Sequence, residues 1–281
     1  MLSTAQQTAY RDQGFLVLPG FRSAERVAAL RARAEAIVEA FDPDTHHSVF
    51  STQDQARRST TAEFLASAEG VQCFFEAEAL DAEGRLRVPK AQAINKIGHA
   101  MHDLDPVFDA FSHGADLAAL AADLGLAAPQ VWQSMYIFKP PGIGGEVGWH
   151  QDATFLDTEP ASVVGFWFAL EEATRDNGCL WVQPGGHRSP LRQRFVREGD
   201  AVRMDTLDAT PWPQAGDGST VPVEVTTGTL VVFDGLLPHW SAPNRSPRSR
   251  HAFTLHATDG RAAYSPRNWL QRPTLPLRGF V

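Results

Sequence analysis

His150 and Asp152 stand two residues apart in Gly148-Trp149-His150-Gln151-Asp152, a spacing that suits metal chemistry. Side chains on an extended chain repeat with period 2, so an imidazole nitrogen and a carboxylate oxygen reach the same side. A third ligand must come from elsewhere in the fold, and His239 in Pro238-His239-Trp240-Ser241 is the candidate. Two histidines and one carboxylate on one face, with the other positions open, form the ligand set of non-haem Fe(II) oxygenases. The triplet alone is weak in a chain with 10 histidines and 33 acidic residues, where a polar surface turn is the rival reading. Its flanks favour a site. Gly142 to Gly148 is a glycine-rich approach that lets backbone come close, and Val163 to Leu170 reads as an apolar strand.

The second half of the pattern surrounds His239. Gly228 to Phe233 reads as a strand, a bend carries the chain to His239, and Pro243 to Pro247 reverses it towards Arg250. Arg250 is therefore expected on an antiparallel strand adjacent to His239. A guanidinium at the inner end of a barrel suits a carboxylate anchor, because it is a planar, always-charged fork. Ser241, two residues past His239, would face the same side and add a hydroxyl donor. The rival reading makes Arg250 part of a basic surface turn with Arg245 and Arg248. In Ile94-Asn95-Lys96-Ile97, a strand would turn Lys96 away from both isoleucines. It would then either snorkel into water or line a pocket that wants positive charge.

These residues need a scaffold, and composition limits what it can be. The 281 residues suffice for one large domain with a deep core; 43% apolar and 21% charged content is that of a globular chain. A net charge of −8 argues against a phosphate-backbone binder, so no nucleic-acid partner is expected. Cys73 and Cys179 lack the spacing of a metal or redox motif and are expected as buried thiols in a reducing compartment. The N-terminus is polar and no apolar stretch approaches a membrane span, so a cytoplasmic location and no membrane partner are expected. Oligomeric state is not readable.

Along the chain, Thr4 to Gln13 is expected as a helix ended by Gly14, and Phe15 to Leu18 as a strand. Ser23 should cap a helix to about Ala40, and Asp105-Pro106 should start another that breaks near Gly114 and ends at Gly125. Residues 42–72 are polar and unpatterned, and a lid or insertion loop is expected there, with His46-His47 in solvent. Asp81 to Arg85 reads as a hairpin-like turn. From Gln130 the character changes to short β-like runs at 131–139, 163–170, 179–182, 229–233 and 250–257, with 188–221 as an irregular excursion over one mouth. Many short strands argue for a β-sandwich or jelly-roll barrel with helices packed outside. One domain over 1–281 is expected, a helical part of about 1–128 packed on a core of about 129–281.

At this point the chain resembles the phytanoyl-CoA dioxygenase family of Fe(II)/2-oxoglutarate oxygenases. Ordered matches run nearly end to end. They include Gly14-Phe15-Leu16-Val17-Leu18, Asn95 to Ala100, Gln133 to Lys139, His150-Gln151-Asp152-Ala153, Asn177 to Trp181, Pro184 to His187 and Asn268-Trp269-Leu270. The resemblance implies a mainly β fold with flanking α-helices and a double-stranded β-helix (jelly-roll, cupin-like) core. It implies Fe(II) held by His150, Asp152 and His239, with Arg250 and Ser241 on the distal carboxylate of 2-oxoglutarate. Lys96, Met135 and Trp167 match positions that line the cosubstrate pocket. The implied activity is oxidation of a small-molecule substrate by O2 and 2-oxoglutarate, releasing succinate and CO2. Relatives that halogenate lack the carboxylate ligand, so Asp152 favours hydroxylation at an unactivated C–H. Trp149 is bulkier than expected beside the first ligand and would narrow the entrance. Trp149, Gln151, Asn95 and His99 are candidate substrate contacts by position. Two rivals remain: a zinc hydrolase on the same three ligands, and a cupin-like protein that binds metal and 2-oxoglutarate without turnover.

Overall fold

The computed structural model describes residues 1–43, 48–50, 62–199 and 201–281. His46, His47 and much of the stretch expected as a lid lie outside the described residues. The expected caps at Gly14, Ser23 and Asp105 form, joined by one at Ser3 that was not anticipated. Ser3 caps α1 (Thr4–Gln13) with Gly14 closing it, and Ser23 caps α2 (Ala24–Ala40) by accepting from the Arg26 N–H. Short helices α3 (Ala62–Ala66), α4 (Lys90–Ala93) and α5 (Met101–Leu104) follow. Asp105 then caps α6 (Pro106–Ser112) with proline at the first helical position, and a break at Gly114 precedes α7 (Ala115–Asp123).

The strands come in chain order. The first are β1 (Phe15–Leu18), β2 (Val49–Phe50), β3 (Val71–Glu76), β4 (Ile94–His99), β5 (Pro129–Ile137) and β6 (Val147–His150). Next are β7 (Thr158–Glu159), β8 (Val164–Ala169), β9 (Leu180–Val182), β10 (Gln193–Glu198) and β11 (Ala201–Thr206). Last are β12 (Val221–Val223), β13 (Leu230–Asp234), β14 (His239–Ser241), β15 (Ala252–Asp259) and β16 (Ala263–Tyr264). A larger sheet runs β1-β13-β8-β15-β5-β4-β3-β2, and a smaller one β12-β9-β14-β6. All their pairings are antiparallel except β2 with β3, which gives a jelly-roll of two facing sheets. The first 128 residues thus supply both helices and four strands of the larger sheet.

Alternation along the strands separates two cores. On β8, Val164, Phe166 and Phe168 face outward, where they meet Leu30 of α2, Phe108 and Phe111 of α6, and Leu117 of α7. Trp167 and Ala169 face inward and pack with Val231, Phe233, Leu180 and Val182 between the sheets. Cys73 sits in the outer cluster and Cys179 in the inner one; both are unpaired, and burial pushes their thiols up to about 12 and about 11.

Two expectations need correction. The excursion at 188–221 is not irregular throughout: β10 and β11 form an antiparallel hairpin with Phe195 and Val196 buried. His239 and Arg250 are not on neighbouring strands. β14 pairs with β9 and β6 in the smaller sheet, while Arg250 leads into β15 of the larger one. The turn between them is a crossing from one sheet to the other. No helix among the described residues is long and apolar enough to cross a membrane.

Candidate metal centre

The pairing of β14 with β6 puts His239 directly opposite His150, and their rings lie 4.1 Å apart. β6 ends at His150, but Gln151 keeps an extended backbone (φ −119°, ψ 135°), so Asp152 returns to the same side before a 3-10 turn, Asp152–Thr154, begins. The expected two-residue period therefore holds across the end of the strand. Asp152 Oδ1 lies 3.6 Å from His150 Nε2 and 3.7 Å from His239 Nε2. One ligand atom from each residue falls within 4.8 Å of the others.

Backbone contacts fix how the two imidazoles present themselves. His150 Nδ1 is 2.8 Å from the Gly148 carbonyl, and His239 Nδ1 is 3.0 Å from the Leu237 carbonyl. A carbonyl only accepts, so each Nδ1 carries its proton and each Nε2 lone pair is left for a metal. Burial and the neighbouring His150 lower the His239 pKa to about 4, which keeps its ring neutral. Burial works against the charged form of Asp152, yet His256 and His239 beside it hold its carboxyl well below the usual range. The donor set and its protonation thus fit a divalent transition metal.

Beyond the triad, the same cavity reaches Arg250, Lys96, Met135, Trp167 and Ser241, so the expected residues are brought together. The Arg250 guanidinium is buried 5.4 Å from the Trp167 ring. Its Nε donates to the Gly178 carbonyl at 3.1 Å and its Nη2 to Ser241 Oγ at 3.4 Å. The Ser241 hydroxyl is itself committed to Gly178 O at 2.9 Å, so Ser241 braces the arginine. Gly178 can offer that carbonyl because it sits at φ +84°, where a Cβ would lie 2.6 Å from Ala242 O. Arg250 Nη1 and Thr254 Oγ1 are buried in the cavity without a hydrogen-bond partner among the described residues. Orphaned donors of this kind call for an acceptor ligand, and the fork geometry suits a carboxylate. Lys96 does not snorkel. Unbroken alternation would have put Lys96 on the same side as Ile94, contrary to expectation; a bulge at Asn95 shifts the register of β4, so Ile94 and Ile97 both join the outer core while Lys96 faces the cavity beside Met135. Burial lowers its pKa to about 7.

The position-based substrate contacts fare unevenly. Trp149 stacks with Trp240 on the cavity wall, rings 6.1 Å apart. His99 lines the cavity among Phe64, Phe74 and Trp269, its Nδ1 2.8 Å from Ser67 Oγ. Asn95 also lines it, with its amide donated to Glu76. Gln151 is no contact. It points the opposite way, fully buried, and clasps Leu236 O, Pro190 O and the Arg192 N–H. Thr254 was missed, and so was His256, whose Nε2 lies 3.0 Å from Asp152 Oδ2. Its signal was parity, since it stands on the inward face of the same run as Arg250 and Thr254.

Comparison with known proteins agrees with this geometry. The phytanoyl-CoA dioxygenase (PhyH) family matches residues 10–252. Phytanoyl-CoA dioxygenase 1 of Oryza sativa subsp. japonica is 47% identical over 97% of this chain and 95% of its own length. Phytanoyl-CoA dioxygenase domain-containing protein 1 of Bos taurus is 43% identical over 98% of this chain and 97% of its own. Among solved structures, EctD from S. alaskensis with 2-oxoglutarate and 5-hydroxyectoine has a TM-score of 0.67 at 23% identity, covering 100% of this chain and 87% of that one. The carbocyclase SnoK from nogalamycin biosynthesis has a TM-score of 0.64 at 19% identity, covering 95% and 87%. At those identities the two structures speak for the fold.

Proposed function

The chain belongs to the phytanoyl-CoA dioxygenase family and is a 2-oxoglutarate-dependent iron dioxygenase, and from that premise we propose that it hydroxylates an unactivated C–H of a small-molecule substrate. His150, Asp152 and His239 would hold the Fe(II), and Arg250, braced by Ser241, would take the distal carboxylate of 2-oxoglutarate. When bound, iron and 2-oxoglutarate supply the oxidising chemistry: with O2, 2-oxoglutarate goes to succinate and CO2 and the second oxygen atom enters the substrate C–H. The observation that carries this reading is one cavity holding the triad at one part and a buried, part-satisfied guanidinium at another.

The residues of the chain do the rest by placement. The carbonyls of Gly148 and Leu237 keep both imidazoles in the tautomer that frees Nε2. Trp167 covers the guanidinium and Met135 the Lys96 amine, which keeps water from the anionic ligand they await. Phe64, Phe155, Phe195 and Trp269 line the remaining wall with apolar surface against which a substrate carbon can rest. Two buried, unpaired thiols suit a reducing compartment, and the cytoplasm is the proposed location.

The test is anaerobic addition of Fe(II) and 2-oxoglutarate, watching for the visible charge-transfer band of the chelate, followed by O2 and assay of succinate. A band with succinate release supports the reading and opens a substrate screen. Zinc co-purification with no band would send the site to the hydrolase class.

A further inference from the structure

Asp152 has two carboxylate oxygens, and the fold uses them differently. Oδ1 faces the two Nε2 atoms of the triad, while Oδ2 lies 3.0 Å from His256 Nε2. A carboxylate only accepts, so His256 Nε2 carries the proton. His256 Nδ1 then accepts from the Gln133 side-chain amide, 3.1 Å away. Gln133 and His256 are direct cross-strand partners on β5 and β15, and both are buried. Across the other edge of β15, His256 is opposite Gly165 of β8, where a Cβ would lie 2.9 Å from Asp152 Oδ2. The carboxylate therefore sits in a slot with a bare backbone beside it and a single N–H aimed at one oxygen.

We propose that the Gln133–His256 pair is a positioning device that holds Asp152 to iron through Oδ1 alone. The inference rests on the metal reading above. If both oxygens of Asp152 bound, the three residues would fill four positions of a six-coordinate metal and leave two. A two-point cosubstrate together with O2 needs three. Occupying Oδ2 with a donated hydrogen bond keeps the third position open, and it also offsets part of the cost of burying the carboxylate. Gln133 acts one step further out, fixing the His256 tautomer that makes the donation possible.

The experiment uses the full chain and Co(II) as an oxygen-stable probe, with affinity and visible spectrum read anaerobically with and without 2-oxoglutarate. His256→Leu should lower Co(II) affinity by about 10–100-fold and alter the Co(II) spectrum. It should also weaken 2-oxoglutarate on the Co(II) form. His256→Gln keeps an amide N–H close to the Nε2 position and should restore affinity to within several-fold. Unchanged affinity and spectrum in His256→Leu would overturn the proposal, as would a His256→Gln as impaired as the leucine variant, since packing alone would then explain both. Should His256→Leu fail to fold, Gln133→Met decides: it should lose about tenfold, and wild-type affinity there would overturn the proposal. Absence of Co(II) and Fe(II) binding by the wild-type chain would instead overturn the metal reading itself.

Discussion

Removing the Arg250 guanidinium would leave Ser241 and the Gly178 carbonyl facing a void at the inner end of the cavity. Arg250→Ala should weaken 2-oxoglutarate by about 2–5 kcal/mol, the scale for deleting one partner of a buried, hydrogen-bonded charge pair. Metal affinity without cosubstrate should stay near wild type; equal loss of both in titration calorimetry would refute the anchor. Lys96 makes a second residue-scale prediction, in pH. Burial lowers its pKa to about 7, so at pH 8 the empty pocket holds mostly the neutral amine. An incoming anion favours the charged form, so binding takes up a proton, and affinity falls by up to about tenfold per unit above pH 7. Calorimetry in two buffers of different ionisation heat measures that proton; its absence in wild type, or its persistence in Lys96→Met, would remove Lys96 from the cosubstrate site. His150, Asp152 and His239 were legible because ligand chemistry restricts residue type and the spacing is local. The same two-residue period already turns Gln151 away from the site; parity also places His256 inward, but its contacts with Asp152 and Gln133 exist only once the strands pair.

At the scale of elements, β8 has to pass directly beneath Asp152. A methyl group at Gly165 would meet the Phe233 ring at 2.5 Å and Asp152 Oδ2 at 2.9 Å. Gly165→Ala should therefore cost about 1–3 kcal/mol by overpacking, measured by denaturant unfolding, and should weaken metal binding as well. Loss of stability with metal affinity unchanged would mean that Phe233 yields rather than Asp152. Trp149→Ala, on the stacked wall, should shift which substrates are oxidised while leaving substrate-free decarboxylation of 2-oxoglutarate intact; parallel loss of both would make the stack structural. Helix ends and the apolar strands could be read from the chain because caps, prolines and alternation act within a few residues. Sheet membership could not. The hairpin-like spacing between His239 and Arg250 looks the same whether the turn joins neighbours in one sheet or crosses between two. In the β10–β11 pair, consecutive buried Phe195 and Val196 break the alternation that would have announced a strand.

Across the whole molecule, the three candidate metal ligands come from one end of the smaller sheet, on edge strand β6, its neighbour β14 and the turn after β6, while Lys96, Arg250 and His256 belong to the larger sheet or its entry. A ligand held at both ends would tie the two sheets together. Co(II) and 2-oxoglutarate together should raise the melting temperature more than the metal alone, by the equivalent of about 2.7 kcal/mol at a hundredfold excess over Kd. Arg250→Ala should keep the metal increment and lose the cosubstrate one; an undiminished cosubstrate increment in scanning calorimetry would count against the bridge. Short strands pointed to a sandwich or jelly-roll, but the two-sheet order required the family resemblance, because pairing among distant strands leaves little trace in local pattern. The buried thiols now acquire a use. Cys179 adjoins Gly178, whose carbonyl holds Arg250, whereas Cys73 lies on the helix-covered side of the larger sheet. Both stay protonated and shielded in the closed protein, so alkylation can proceed only as fast as each region opens. The chain thus carries two native chemical clocks, and cosubstrate should slow the one at Cys179 more than the one at Cys73.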